Sequence, residues 1–163
     1  MDKSSFRQVM RLYPGAVTVI AVGAPGDRTG TTATSVCSLS DEPPLILACI
    51  NRNASAHDLI QASKCFCVNV LAFDQSDIAL RFAGQAGLAG EARFEADRWD
   101  VLKTGAPVLK GALASLDCSL EEEMDGRTHT IFIGRVRDAC VRADAEPLLY
   151  YSGSFRTLAK ADA

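Results

Sequence analysis

The densest chemistry in the chain lies in Gly30-Thr31-Thr32-Ala33-Thr34-Ser35-Val36-Cys37-Ser38-Leu39-Ser40, where six of eleven side chains carry a hydroxyl. Hydroxyls at alternate strand positions satisfy one another across a ladder, and small residues also let a flat ligand approach the backbone. Physics alone leaves both readings open. Of the two histidines, His129 begins a strand-like run, while His57 is expected on the exposed face of a short helix, with no role. Cys37 lacks the electropositive neighbours of a reactive thiolate, and no nucleophile has a sequence-evident base, so a hydrolase has little support. Cys65 and Cys67 would share one face of a strand with no second pair at zinc spacing, which reads as buried core. The other cysteines lie mostly in apolar, strand-like segments, where a reduced thiol serves as a small hydrophobe. There is no G-x-G-x-x-G after a strand and no G-x-x-x-x-G-K-[ST], so any nucleotide must be held without the usual cradles.

The elements that would position these residues are mostly strands. Phe6, Val9, Met10 and Tyr13 have helical spacing, with Ser4 or Ser5 as cap and Pro14-Gly15 as stop, which predicts an opening helix. Ala16 to Val22 is a β-branched run closing at Gly23-Ala24-Pro25-Gly26-Asp27, the hydroxyl block makes a second strand, and Leu45 to Ile50 a third. Ala54 to Ala62 reads as a helix capped by Asn53 or Ser55, Cys65 to Leu71 as a strand, and Gln75 to Ala83 as another helix. Gly84 to Lys110 is expected as irregular chain pinned by Phe94, Trp99 and Pro107. Ala112 to Glu122 and Thr128 to Val141 are predicted to pair through a hairpin at Met124-Asp125-Gly126, with Glu121-Glu122-Glu123 as a solvated strand end. Leu148 to Tyr151 closes the set, and one of Tyr150 and Tyr151 is expected in the core. Six or seven strands without long alternating helices favour an antiparallel barrel or sandwich over a doubly wound sheet.

With 163 residues, 48% hydrophobic and 23% charged, the whole chain is expected to form one domain with a real core. A net charge of −3 with scattered Lys and Arg offers no basic stripe for a nucleic acid. Met1 to Phe6 has no apolar core of signal-peptide length, and no later run approaches the roughly 20 apolar residues of a membrane span. We therefore expect a cytoplasmic protein in which disulfides are not required.

Thr32-Ala33-Thr34-Ser35 followed by Ser38-Leu39-Ser40, then Pro43-Pro44-Leu45, Asn51 and Ser55, resembles the flavin reductase family with the FMN-binding split-barrel fold. The resemblance runs on through Phe66-Cys67-Val68-Asn69-Val70-Leu71, Arg81-Phe82-Ala83-Gly84, Phe94 with Trp99, Pro107-Val108-Leu109, Cys118, Thr128 to Val136 and Pro147 to Tyr151. It is strongest to reductase components of two-component flavin-dependent monooxygenases, such as those for 4-hydroxyphenylacetate hydroxylation and pyrimidine-ring oxidation. The implied fold is mainly β, an antiparallel Greek-key split β-barrel with a few short peripheral helices. The implied reaction passes hydride from NADH or NADPH to FMN or FAD, and reduced flavin goes on to a partner monooxygenase. Family members are homodimers with flavin near the subunit interface, and the Gly- and Ala-rich middle of this chain suits such a seam.

Carried over to this sequence, the resemblance implies that Thr32, Ala33, Thr34 and Ser35 border the flavin ring and ribityl chain, with Ser38, Leu39 and Ser40 beside them. Ser38, Ser40, Ser55 and Asn51 become candidates for ribityl and phosphate oxygens. Arg52 is either a phosphate cation, for which a guanidinium is well shaped, or a solvated surface charge. Ala83 and Gly84 match a close backbone approach to the flavin, although Gly84 also suits a helix C-cap. His129 matches a histidine on the nicotinamide side and is the candidate catalytic residue, with Tyr151 an aromatic near the same pocket. In Gly126-Arg127-Thr128-His129 the family's usual glycine is replaced by Arg127, which offers a cation to the dinucleotide. Two rivals remain: a passive flavin-binding or electron-transfer barrel, in which His129 would be idle, and a pyridoxine-phosphate-type oxidase, which calls for more phosphate-binding cations than the chain supplies.

Overall fold

The computed structural model describes residues 1–159. Helix α1 (Lys3–Met10) is followed by β1 (Gly15–Ala16), β2 (Thr18–Val22), β3 (Thr29–Ala33), β4 (Val36–Ser40) and β5 (Leu45–Asn51). Next come α2 (Ala56–Ser63), β6 (Cys65–Val70), α3 (Ser76–Phe82), β7 (Trp99–Val101) and β8 (Pro107–Leu109). The chain continues through β9 (Ala114–Gly126), β10 (His129–Val141), β11 (Leu149–Tyr151) and β12 (Ser154–Arg156). The protein is mainly β with short helices, as expected. Its strands outnumber the expected six or seven because two- and three-residue strands such as β1, β7, β8 and β12 are too short to show alternation in sequence.

Seven strands form one antiparallel sheet in the order β3-β2-β6-β9-β10-β5-β4. Its two edges are β3 and β4, yet only Thr34 and Ser35 separate those strands in the chain. Three Cα steps span at most about 11 Å, so the sheet must curl until its edges nearly meet. The result is a barrel split along the β3/β4 seam. The hydroxyl block, read from sequence as one strand and its exit, is thus two strands facing each other across that split.

Alternation along the strands builds the interior. Ile20 and Val22 from β2, Ile46, Ala48 and Ile50 from β5, Phe66 and Val68 from β6, Cys118 from β9 and Phe132 from β10 form one buried cluster. Ala56 and Ile60, four apart on α2, join the same cluster. A Cβ at Gly134 would stand 2.6 Å from Phe66 Cζ, so the missing side chain there lets that ring fill the barrel. Val19 and Ala21 point the other way and are covered by Ile78, Ala79 and Phe82 of α3 together with Phe94, Leu109 and Leu148. The Phe94 and Trp99 rings lie 4.7 Å apart, which anchors the 84–110 segment as expected, although β7 and β8 pair inside it.

Three local expectations need correcting. Helix α1 starts earlier than predicted because Asp2, not a serine, caps it: its Oδ1 accepts the Ser4 and Ser5 N–H groups at 2.8 and 2.9 Å. The β9–β10 turn is Arg127-Thr128, since Gly126 already pairs with His129, and Met124 and Asp125 lie within the strand. Glu121 to Glu123 are therefore mid-strand; Glu121 accepts from the Arg135 guanidinium and Glu123 from Gln61. Asp2 wins because a carboxylate is a stronger acceptor than a hydroxyl, and the turn shifts because a two-residue loop is the shortest that closes a hairpin.

Candidate functional site

Two hollows open along the seam and share Thr32, Ala33 and Thr34 as a common wall. The larger, a cavity of about 470 Å³, lies between the end of β3, the last turns of α3 and the β11–β12 hairpin. That volume is within the range of small-molecule sites. Its walls are built by short-range sequence features. Ala79 and Ala83, four apart on one helix face, present methyl groups where larger residues would fill the space. The Thr32 hydroxyl donates to the Ala79 carbonyl at 2.7 Å and ties strand to helix. Gly84, at φ +78°, ends the helix as a left-handed terminator between Ala83 and Gln85, which both line the cavity. Ser152 and Gly153 both have positive φ, which a two-residue primed hairpin turn requires, and that turn sets the Tyr150 and Phe155 rings 5.8 Å apart against the cavity.

The smaller hollow, about 230 Å³, is lined by Thr31 to Ser35, Cys49, Ile50, Asn51 and His129. The β5–β10 register places His129 directly opposite Asn51. The imidazole Nδ1 lies 2.9 Å from the Thr128 hydroxyl, a contact that leaves Nε2 available. Asn51 Oδ1 accepts the Asn53 N–H at 2.9 Å, so its carbonyl oxygen is engaged in the turn between β5 and α2. Arg127 takes the first turn position at φ +68°, a left-handed conformation that costs an L-residue about 1–2 kcal/mol. Its N–H donates to Asp125 Oδ1 at 2.7 Å, which holds the turn.

His57 is not exposed, contrary to the sequence expectation. It is 7% accessible, and its Nε2 and Nδ1 sit 2.8 Å from Thr130 Oγ1 and 2.7 Å from Asp58 Oδ1. Thr130 follows His129 on β10, so alternation sends it to the opposite face, and His57 braces that face with its ring 5.4 Å from Phe132. A histidine in the first turn of α2 can face either way. Ile60, three positions on, is the clue that this side of the helix points inward.

Of the candidate residues, Thr32, Ala33, Thr34 and Ala83 line the larger cavity, while Ser35, Asn51 and His129 line the smaller one together with Thr32 to Thr34. Gly84 sits beside Ala83 at the helix end. Ser38, Leu39 and Ser40 line neither, because they continue along β4 on the partly exposed edge. Ser55 is drawn elsewhere, its hydroxyl 2.6 Å from Thr29 Oγ1 in a third hollow beside Arg28 and Glu91. Arg52 pairs with Asp125 at 3.0 Å on the surface. Tyr151 lines neither hollow, and its neighbour Tyr150 takes the cavity wall; with Tyr150 38% and Tyr151 41% exposed, neither tyrosine is core. Sequence reasoning missed Val17, Ala79 and Phe155 in the larger cavity and Cys49 in the smaller. The Ala79/Ala83 spacing and the Tyr-Ser-Gly-Ser-Phe hairpin pattern were the available signals.

Burial governs the thiols. It pushes the Cys118 thiol up to about 12 and raises those of Cys67 and Cys49, so none of the three is a ready thiolate. Cys65 and Cys67 pack against Ala106, Val108 and Leu102, in keeping with their reading as core. Cys37 and Cys140 depart from the small-hydrophobe expectation, being exposed near the start of β4 and near the end of β10. An apolar cavity with small walls and a free strand edge, sharing a wall with a polar hollow that holds an imidazole, suits a flat aromatic ring and a second ligand beside it.

The sequence model of the flavin reductase like domain matches residues 10–159. The chain belongs to the flavin reductase family. It is 41% identical over 153 residues to an FMN reductase (NADH), RutF, of Agrobacterium fabrum, covering 94% of this chain and 87% of that one. It is 37% identical over 156 residues to the 4-hydroxyphenylacetate 3-monooxygenase reductase component of Pseudomonas aeruginosa, covering 96% and 92%. Among solved structures, the NADH:FAD oxidoreductase SgcE6 of Streptomyces globisporus, in complex with NAD and FAD fragments, superposes with a TM-score of 0.89. That pair is 35% identical, covering 99% of this chain and 96% of the other.

Proposed function

We propose that this flavin reductase family member oxidises NADH and reduces FMN or FAD, releasing the reduced flavin to a flavin-dependent monooxygenase. The observation that carries this reading is the shared wall: Thr32 to Thr34 separate an apolar cavity from a polar hollow holding His129, so two ligands can meet across one strand edge. A flavin held there would supply the hydride acceptor and a nicotinamide the donor, so the redox chemistry would belong to the two ligands. The residues of this chain align and shield. Ala79, Ala83, Val17 and Phe155 give an apolar wall that excludes water, and the free edge of β3 offers backbone donors where negative charge gathers on reduction. His129 presents Nε2 to the second ligand while Thr128 fixes the ring.

The relatives' names support the donor and the partner class, since one is an NADH-dependent FMN reductase and another a monooxygenase reductase component. We also propose a homodimer. Phe6, Val9, Met10 and Tyr13 line one face of α1 and its exit, each between 47% and 74% exposed, an apolar stripe that a second copy would cover. Six free thiols suit a reducing cytoplasm, and among the described residues no helix is long and apolar enough to cross a membrane.

The test is loss of reduced-nicotinamide absorbance from NADH and NADPH by purified protein in air, with and without added FMN, FAD or riboflavin. Turnover with NADH that depends on added flavin is expected. Flavin binding without consumption of either dinucleotide would replace this reading with a passive flavin module. His129→Ala should lower kcat/KM for NADH about tenfold to a hundredfold with flavin affinity nearly unchanged. In the passive module the same change would alter nothing.

A further inference from the structure

The β9–β10 turn spends a left-handed position on an arginine where glycine or asparagine would sit without strain. Strain of this kind persists where something else over-determines it, and it clusters at ligand sites. The local contacts do not use the side chain. Asp125 takes the Arg127 backbone N–H at 2.7 Å and also the Arg52 guanidinium at 3.0 Å. Arg52 is thereby neutralised, whereas the Arg127 guanidinium has no hydrogen-bond or ion-pair partner among the described residues. It is exposed at the hairpin turn, two positions before His129, which lines the smaller hollow.

The surrounding charge makes that position matter. Glu121, Glu122, Glu123 and Asp125 line the strand leading to the turn, in a chain of net charge −3. An anion approaching His129 would meet a negative field unless a local cation offset it. Glu121 already has Arg135 and Asp125 already has Arg52, so at the turn end of the hairpin Arg127 is the arginine without a carboxylate partner among the described residues. Its planar fork matches two phosphate oxygens at once, which an ammonium does not.

We infer that Arg127 is a specificity-determining residue that holds the pyrophosphate of the reduced dinucleotide at the mouth of the His129 hollow. This rests on the proposed reading of that hollow as the nicotinamide side. Arg127 is a binding residue only; it touches no reacting atom.

The experiment compares wild-type protein with Arg127→Ala and Arg127→Lys in two readouts. In steady-state kinetics Arg127→Ala should raise KM for NADH about fivefold to tenfold, with kcat and KM for FMN within about twofold. Lysine should recover part of the loss, and the wild-type advantage should shrink as salt rises. In calorimetric titration of the flavin-free protein with NAD⁺, the affinity should fall by the same factor. A dihydronicotinamide donor lacking the pyrophosphate should be used equally well by wild type and Arg127→Ala. Equal loss with that truncated donor would show that the arginine acts through the turn alone and would overturn the inference. So would an unchanged KM for NADH in a wild-type background that turns over. Absence of NADH oxidation by the wild type would instead sink the reading of the site, and this inference with it.

Discussion

The two halves of the free edge of β3 are handled in opposite ways. Its first half, Thr29 and Gly30, is buried under the strap that follows α3: Arg93 donates to the Gly30 carbonyl at 2.8 Å and to the Leu88 carbonyl at 2.9 Å. Next to it the Glu91 carboxylate accepts from the Gly26 and Arg28 N–H groups and from the Arg28 guanidinium. Its second half, Thr31 to Ala33, is half-buried and opens onto both hollows. An uncovered strand edge is a liability that proteins ordinarily blunt, so the half left open is the half with a use. The comparison separates residues that stabilise the seam from residues that serve ligands.

The largest effect should come from closing the open half. Ala83→Phe puts a ring into the larger cavity from the helix end, and flavin affinity should fall by about a hundredfold or more. Calorimetry with FMN would read this directly. NAD⁺ affinity should stay within about twofold, because Ala83 does not line the smaller hollow. Loss of both affinities together would show that the hollows act as one site. Behind the smaller hollow, His57→Ala should cost about 2 kcal/mol by stranding the buried Thr130 hydroxyl and leaving space beside Phe132. A fall of about 6 °C in Tm with KM for NADH unchanged is the expected outcome. The two histidines on opposite faces of one strand end would then divide cleanly, His57 into stability and His129 into turnover.

How much of this was readable in the sequence follows from the range of the signal. The strand runs and the barrel class were legible because alternation and β-branched composition are local, and the hydroxyl block, which supplies Thr31 to Ser35 to the hollows, stood out by composition. The split at Thr34-Ser35 was not legible, since a two-residue connection between strands at opposite edges looks like one continuous strand until the sheet closes. Ser55 and Arg52 were drawn to other partners, Thr29 and Asp125, by contacts 26 and 73 residues away in the chain. Tyr150 displaced Tyr151 because the hairpin turn at Ser152-Gly153 fixes which ring faces inward, a matter of one residue of register. His57 misled for the same kind of reason, one helical position deciding between water and Thr130.

The covered half of the edge gives a pH-dependent test. Arg28 and two backbone N–H groups hold the Glu91 carboxyl down from its ordinary 4.5 to about 2. A depressed carboxylate adds stability that is fully present above about 4.5 and is lost as pH falls through about 2. Its side chain is 39% accessible, so solvent screening brings the contribution to about 1 kcal/mol. Glu91→Gln should therefore lower the urea midpoint at pH 6, and the gap from wild type should narrow as pH is lowered toward 2. A gap that is constant with pH would mean that Glu91 acts by packing rather than by charge.

The smallest effect tests whether Arg127 is kept against a stability gradient. The left-handed position costs an L-residue about 1–2 kcal/mol, while glycine adds freedom to the unfolded chain worth about 0.4–1 kcal/mol. Arg127→Gly should thus stabilise the protein by about 0.5 kcal/mol, a rise of about 1–2 °C in Tm by calorimetry. Its affinity for NAD⁺ should fall as far as that of Arg127→Ala. Stabilisation together with weaker binding would mark the turn as a place where the open end of the seam gives up stability for recognition. A destabilised glycine variant would mean that the Arg127 side chain supports the turn, and the open end would then differ less from the covered one than the contacts imply.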